Sequence, residues 1–123
     1  MRPRRSAFIL AVLVATAALV VAASASAATP KLVGETGPGF TIQLKSSAGK
    51  TVKSLKAGTY VIKVEDKSPI HNFHLFGPGV NKLTAIDGTS ETTWKVKLKP
   101  GKYTYQCDVH ASEGMKGTFK VVS

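Results

Sequence analysis

The sequence is divided into short segments in which apolar and polar residues alternate, and turns containing Gly or Pro separate them. Such alternation is typical of half-buried strands, and the clearest example places Thr92, Trp94, Val96 and Leu98 on one face. Further strands are predicted at residues 40–45, 59–65, 70–76, 102–107 and 117–122, with a short one near residues 52–55. Residues 28–39 and 80–91 are predicted as loops. With no convincing amphipathic helix, the pattern predicts an all-β sandwich or small barrel.

The N-terminal 27 residues have the pattern of a secretory signal peptide. Three arginines stand in the first five residues, an apolar run covers residues 7–23, and small residues follow at 25–27. The alternative is a membrane anchor, for which a run of 17 residues is at the short limit. Cleavage would leave a single domain at residues 28–123, large enough for one modest core. We therefore expect a secreted, periplasmic or cell-surface protein with no stable membrane insertion of the mature chain.

The charge is strongly positive, with 17 Lys and Arg against 7 Asp and Glu. Without the first 27 residues, 14 lysines and 7 acids remain, so the mature charge is about +7. The lysines are scattered over alternate strand positions, which favours a solvated surface over a nucleic-acid-binding site. The sequence also contains no Ser-His-Asp candidate and no plausible pair of catalytic carboxylates, so we do not expect an enzyme.

The chain has one cysteine, Cys107, so the fold must be stable without an internal disulfide. A free thiol outside the cell is exposed to oxidation, and its retention suggests that a metal occupies it. Cys107, His110 and Met115 follow one another at Cys-x2-His-x4-Met. Copper accepts thiolate, imidazole and thioether ligands, and a blue-copper site adds a second histidine. Without a metal, His110 would be a surface residue and Met115 a core residue.

The second histidine could be His71 or His74, which lie on the predicted strand at residues 70–76. Three positions apart on a strand, they point to opposite faces. Placing His71 inward also buries Phe73 and Leu75. In that arrangement Asn72 and His74 are expected to point outward. Placing His74 inward instead buries Asn72, which then needs hydrogen-bond partners. We therefore predict a copper site formed by His71, Cys107, His110 and Met115.

Residues 105–110, Tyr-Gln-Cys-Asp-Val-His, and residues 115–117, Met-Lys-Gly, resemble the C-terminal copper-binding loop of plastocyanin-like cupredoxins. His71-Asn72 resembles the His-Asn pair that supplies the first ligand of this family. The resemblance implies a Greek-key β-sandwich, one type 1 copper ion and single-electron transfer, with Asn72 bracing the site. Three features depart from the family: Pro69 stands two residues before His71 rather than directly before it, His74 is an extra histidine, and the acidic docking patch of the plant plastocyanins is missing.

The expected function is electron transfer by a small monomeric protein. Two alternatives remain: a copper chaperone or scavenger that uses the same ligands, and a metal-free interaction module. Electrons are expected to pass at His110, within a flat collar formed by the loops at residues 34–39 and 77–79. The basic surface predicts redox partners with acidic docking surfaces, and Lys116 is the lysine that we place nearest the copper.

Overall fold

The computed structural model describes residues 14–22 and 27–123. The signal-peptide prediction falls largely on residues 1–13 and 23–26, which lie outside the described residues. Residues 14–22 form neither helix nor strand, and the described parts of the chain include no helix long and apolar enough to cross a membrane. The strands in chain order are β1 Lys31–Thr36, β2 Ile42–Ser46, β3 Ser54–Lys56, β4 Gly58–Asp66, β5 His74–Gly77, β6 Val80–Leu83, β7 Ser90–Leu98, β8 Gly101–Gln106 and β9 Lys116–Val122.

Two sheets pack face to face, which confirms the predicted β-sandwich. One sheet has four strands in the order β2-β1-β4-β7, and the other has five in the order β3-β9-β8-β5-β6. The chain crosses repeatedly from one sheet to the other, as in a Greek key. The β1–β4 and β3–β9 pairs are parallel, and the other strand pairs are antiparallel. One turn of 3-10 helix, Ala111–Glu113, lies between β8 and β9.

The core lies between the two sheets and is formed by the apolar positions of the alternating segments. On β7, Val96 and Leu98 are buried while Lys95 and Lys97 are exposed, as the sequence pattern predicts. The Phe73 and Tyr105 rings stack with their centroids 5.8 Å apart. Burying an aromatic or branched aliphatic side chain contributes about 1.5–3 kcal/mol. The full cluster comprises Leu32, Leu44, Val52, Tyr60, Ile62, Val64, Phe73, Leu75, Val80, Val96, Leu98, Tyr103, Tyr105, Phe119 and Val121.

Two strands were not predicted. β1 lies within the predicted loop at 28–39, and β6 within the predicted loop at 80–91. Gly34 in β1 suggested a turn, but its role is close packing, since a Cβ there would lie 2.7 Å from Phe73 Cζ. β5 is also shorter than predicted because it begins at His74, so His71 lies on a loop rather than on a strand.

The loops that follow β1, β4 and β8 lie at the same end of the sandwich. β1 ends at Thr36, β4 ends at Asp66 and β8 ends immediately before Cys107. The turn at residues 77–79 lies at the other end. β5 begins where His74 pairs with Gln106, next to Cys107, and then extends toward the opposite end of the sandwich. There the Tyr103 hydroxyl donates to the Pro78 carbonyl oxygen at 3.0 Å. The prediction that this turn joins a collar around His110 is therefore wrong.

Candidate metal centre

Three of the four predicted donors meet where these loops converge. His71 Nδ1 lies 2.9 Å from His110 Nδ1, and Cys107 Sγ lies 3.7 Å and 3.6 Å from the two nitrogens. His71 and Cys107 are fully buried, whereas the His110 side chain keeps 15% of its surface exposed. The loop before β5 thus supplies one donor, and the loop after β8 supplies two.

The triangle formed by these three atoms fits a metal ion. With these side lengths, the point equidistant from the corners lies about 2 Å from each, which is a metal–imidazole bond length. Two imidazole nitrogens and one thiolate form the trigonal donor set of blue-copper sites. In His71, Nε2 is buried without a hydrogen-bond partner among the described residues, whereas Nδ1 faces Cys107 and His110. Nδ1 is therefore the nitrogen that is placed to bind an ion. The donor set and its size therefore suit copper.

The loop from Cys107 to Met115 is folded tightly by its own backbone. The amide of Cys107 donates to the Met115 carbonyl oxygen at 3.0 Å, and the amide of Met115 donates to the His110 carbonyl oxygen at 3.2 Å. Gly114, with φ of 95°, allows the chain to turn back into β9. Met115, the fourth predicted donor, is buried directly before β9. The Cys-x2-His-x4-Met spacing therefore corresponds to the compact loop between β8 and β9, whose first and last residues are hydrogen-bonded to each other.

The loop that carries His71 is held by a buried polar network that the sequence did not suggest. Asp66 accepts the Thr84 hydroxyl at 2.8 Å and the Ser68 amide at 3.3 Å. Thr84 Oγ1 in turn accepts the Phe73 amide at 2.9 Å. Because these polar groups are buried, their mutual hydrogen bonds offset the cost of removing them from water. The network fixes both ends of the loop. The Asp66–Thr84 contact could not be predicted from a local sequence pattern, because the two residues are 18 positions apart.

Asn72 and Asp108 connect the two donor-bearing loops. Asn72 Nδ2 donates to Asp108 Oδ2 at 2.9 Å, and the Asp108 amide donates to Asn72 Oδ1 at 2.8 Å. Partial burial raises the pKa of Asp108, but hydrogen bonds from Asn72, Gln106 and His74 outweigh it and hold this pKa below its usual value. Asp108 is therefore a carboxylate that can accept all of these bonds.

His74 lies outside the donor triangle. Its Nδ1 is 2.8 Å from Asp108 Oδ1, and its Nε2 is 2.6 Å from Asn81 Oδ1. Partial burial lowers its pKa, but the hydrogen bonds to Asp108 and Asn81 outweigh this and raise the pKa above 6.5. The expectation that Asn72 points outward with His74 is wrong. Asn72 is fully buried, because it lies on the loop before β5, where strand alternation does not apply.

We call Phe40, Ile70 and Val109 the apolar rim, because Phe40 contacts both imidazoles and the other two directly precede His71 and His110 in the chain. The Phe40 ring packs edge-on against both imidazoles, with centroids 5.1 Å from His71 and 4.9 Å from His110. Phe40, Ile70 and Val109 are more than half exposed. Phe40 was predicted to lie on a strand, and its position beside the imidazoles was missed. Its place directly after the glycine-rich segment was the one available signal. The rim gives this end of the molecule an apolar contact surface.

Comparison by sequence finds no family model and no curated protein that matches this chain. Solved structures of rusticyanin match in fold. The reduced protein is 21% identical with a TM-score of 0.58, covering 80% of this chain and 82% of that one. A structure described as the copper protein rusticyanin is 20% identical with a TM-score of 0.59, covering 79% and 80%. Rusticyanin from Thiobacillus ferrooxidans is 22% identical with a TM-score of 0.54, covering 79% of each chain. The chain thus has the β-sandwich fold of the cupredoxins, as the resemblance of residues 105–110 and 115–117 to this family implied.

Proposed function

We propose that this chain is an exported blue copper protein that carries single electrons through one type 1 copper ion. His71, Cys107 and His110 would hold the ion, with Met115 as the fourth ligand. The observation that carries this proposal is the triangle of donor atoms, with sides of 2.9, 3.6 and 3.7 Å around a position suited to a metal. Copper bound there would supply one-electron chemistry by alternating between the cupric and cuprous states.

The protein's own contribution is to hold the donors in place and exclude water. Cys107 would bind as thiolate, and its complete burial keeps solvent oxidants away from the sulfur. The hydrogen-bonded loop and the Asn72–Asp108 pair limit the movement of the donors when the charge at the site changes. A site that moves little between two oxidation states is suited to rapid electron exchange.

Electrons would enter and leave at His110, whose ring is the partly exposed one among the three donors. The apolar rim of Phe40, Ile70 and Val109 would meet a partner's surface there without strong, lasting polar contacts. Lys116 directly follows Met115 and is exposed at this end. It would favour a redox partner with an acidic docking surface by attracting it during the encounter.

The proposal includes removal of residues 1–27 on export, which leaves residues 28–123 as a monomeric domain outside the cytoplasm. The basic leader, the apolar run and the small residues at the cleavage position support it. N-terminal sequencing of the secreted protein tests this part, and a mature chain that starts at Ala28 is the expected result.

A copper titration tests the electron-carrier function. One equivalent of cupric ion should produce an intense blue thiolate-to-copper band, and the bound copper should then cycle reversibly by one electron. A weakly coloured complex that releases copper to a chelator would contradict the proposal and favour a copper chaperone or scavenger. Failure to bind copper would favour an interaction module without a metal.

A further inference from the structure

Three lysines line one shallow pocket on the outer face of the five-stranded sheet. The pocket has a volume of about 380 Å³ and is formed by Lys53, Lys102 and Lys120 together with Thr118 and Phe119. Lys102 and Lys120 are direct partners in the antiparallel register of β8 and β9. Lys53 lies on the next segment, where its carbonyl oxygen accepts the Lys120 amide at 3.1 Å. The three positive charges thus lie side by side across neighbouring segments.

The protein does not neutralise these charges. The described strands of this sheet contain no Asp or Glu, and none of the ion pairs among the described residues includes the three lysines. On the other sheet, by contrast, Lys63 lies 3.3 Å from both Glu65 and Glu91. Like charges directly opposite each other destabilise a pair of strands. A bound anion would remove this repulsion.

The donors in the pocket define the class of ligand. Three ammonium groups and the Thr118 hydroxyl can donate many hydrogen bonds, and lysine is a common point-charge ligand of phosphate. A single carboxylate would leave two of the three positive charges unpaired. We propose that this pocket binds clustered phosphate groups that together carry at least two negative charges. Such groups occur in soluble polyphosphates and in adjacent headgroups of anionic lipids.

The pocket is remote from the candidate metal centre. Lys102 lies five residues before Cys107 along β8, and Lys120 lies five residues after Met115 along β9. At the rise of a strand, both lysines are roughly 16 Å from the metal end. A phosphate ligand in the pocket would therefore leave the rim around His110 free, and the protein could be attached at one end while exchanging electrons at the other.

Binding of sodium tripolyphosphate, measured by calorimetry on the purified protein, tests the pocket. Lys102→Gln/Lys120→Gln should weaken binding about tenfold, because it removes two of the three ammonium groups. The matched control is Lys95→Gln/Lys97→Gln, which removes the same charge from exposed positions of β7 and should change affinity less than about twofold. Equal weakening by the two pairs would overturn the proposal, because it would mean that only the overall charge matters.

Thermal unfolding provides a second readout that does not depend on calorimetry. Tripolyphosphate should raise the Tm of the native protein and of the control pair, but not that of the pocket pair. Without ligand, the pocket pair should be at least as stable as the native protein, since a repulsive contact is removed. If the pocket pair fails to fold, Lys53→Gln repeats the test outside the strand ladder. A Tm unchanged by tripolyphosphate in the native protein would overturn the proposal.

Vesicles distinguish the two sources of phosphate. The protein is mixed with phosphatidylcholine vesicles containing phosphatidylglycerol and with vesicles of phosphatidylcholine alone. Binding to the anionic vesicles that is lost in the pocket pair and kept in the control pair assigns the pocket to lipid headgroups. Binding of tripolyphosphate without binding to anionic vesicles assigns it to soluble polyphosphates. Absence of tripolyphosphate binding would overturn the proposal whatever the vesicles show.

Discussion

Asn72 and Asp108 form a closed pair of hydrogen bonds between the two loops that carry the proposed metal donors. The bonds measure 2.9 Å from Asn72 Nδ2 to Asp108 Oδ2 and 2.8 Å from the Asp108 amide to Asn72 Oδ1. Each residue directly follows a donor, His71 in one loop and Cys107 in the other. The relative position of these two donors therefore depends on this pair.

Replacing Asn72 should lower the stability of the copper-loaded protein. In Asn72→Ala the Asp108 amide and carboxylate each lose one hydrogen bond, and a typical hydrogen bond contributes about 0.5–1.5 kcal/mol to stability. We expect a lower free energy of unfolding, measured with denaturant on the copper-loaded protein. The control is Gln106→Ala, which removes one hydrogen bond to Asp108 at a more exposed position. Equal losses in the two variants would contradict a special role for Asn72.

The stability of the protein should depend on the protonation of His74. Its folded-state pKa is raised above 6.5, because hydrogen bonds to Asp108 and Asn81 outweigh the effect of burial. The stabilisation is therefore complete below pH 6.5 and is lost as the pH rises through the raised value. His74→Gln cannot titrate, so the difference in unfolding free energy between the native protein and this variant should shrink as the pH increases. A difference that is constant with pH would contradict the assignment of His74 as a charged partner of Asp108.

The two histidines near β5 should have opposite effects on the copper spectrum. His71 Nδ1 lies in the donor triangle, whereas both ring nitrogens of His74 are taken by Asp108 and Asn81. We expect His71→Ala to lose the type 1 signals in the visible and electron paramagnetic resonance spectra, and His74→Ala to keep them. The reverse result would show that His74 is the ligand.

Electron exchange with an acidic partner should slow as the ionic strength rises. Charges on the exposed surface are screened over about 8 Å at physiological salt, and steering acts mainly on the association rate. Lys116→Glu should slow exchange with an acidic cytochrome and weaken its salt dependence. Lys97→Glu, on the exposed face of β7, is a control with the same change in charge. A flat salt response in the native protein would contradict a docking role for the basic surface.

The parts of the site that are close in sequence could be predicted. Cys107 and His110 occupy one short loop, so their spacing alone indicated that these two donors lie together. Met115 as a further ligand stays a prediction. The structure places His71, and not His74, beside Cys107 and His110, although the argument for His71 assumed a strand where the structure has a loop. The alternation of apolar and polar residues could not reveal this loop, because β5 begins only at His74 and the residues before it are fixed by long-range contacts.

Features that depend on tertiary contacts were missed. Gly34 lies in the middle of β1, where its lack of a side chain makes room for Phe73, and sequence alone does not distinguish this glycine from one in a turn. The contact between Asp66 and Thr84 joins residues far apart in the chain. Similarly, the turn at 77–79 was predicted at the wrong end of the sandwich. Its position depends on where β5 begins and in which direction it runs, and the sequence did not show that β5 begins at His74.

The visible absorption spectrum of the copper-loaded protein, compared with that of Cys107→Ser, tests the central claim most directly. The thiolate-to-copper transition requires the Cys107 sulfur, and a serine hydroxyl cannot replace it. The native protein should be intensely blue with one equivalent of copper, and the variant should be folded, as shown by circular dichroism, but without the blue band. A native protein without this band, or a variant that keeps it, would contradict the assignment of a type 1 copper site.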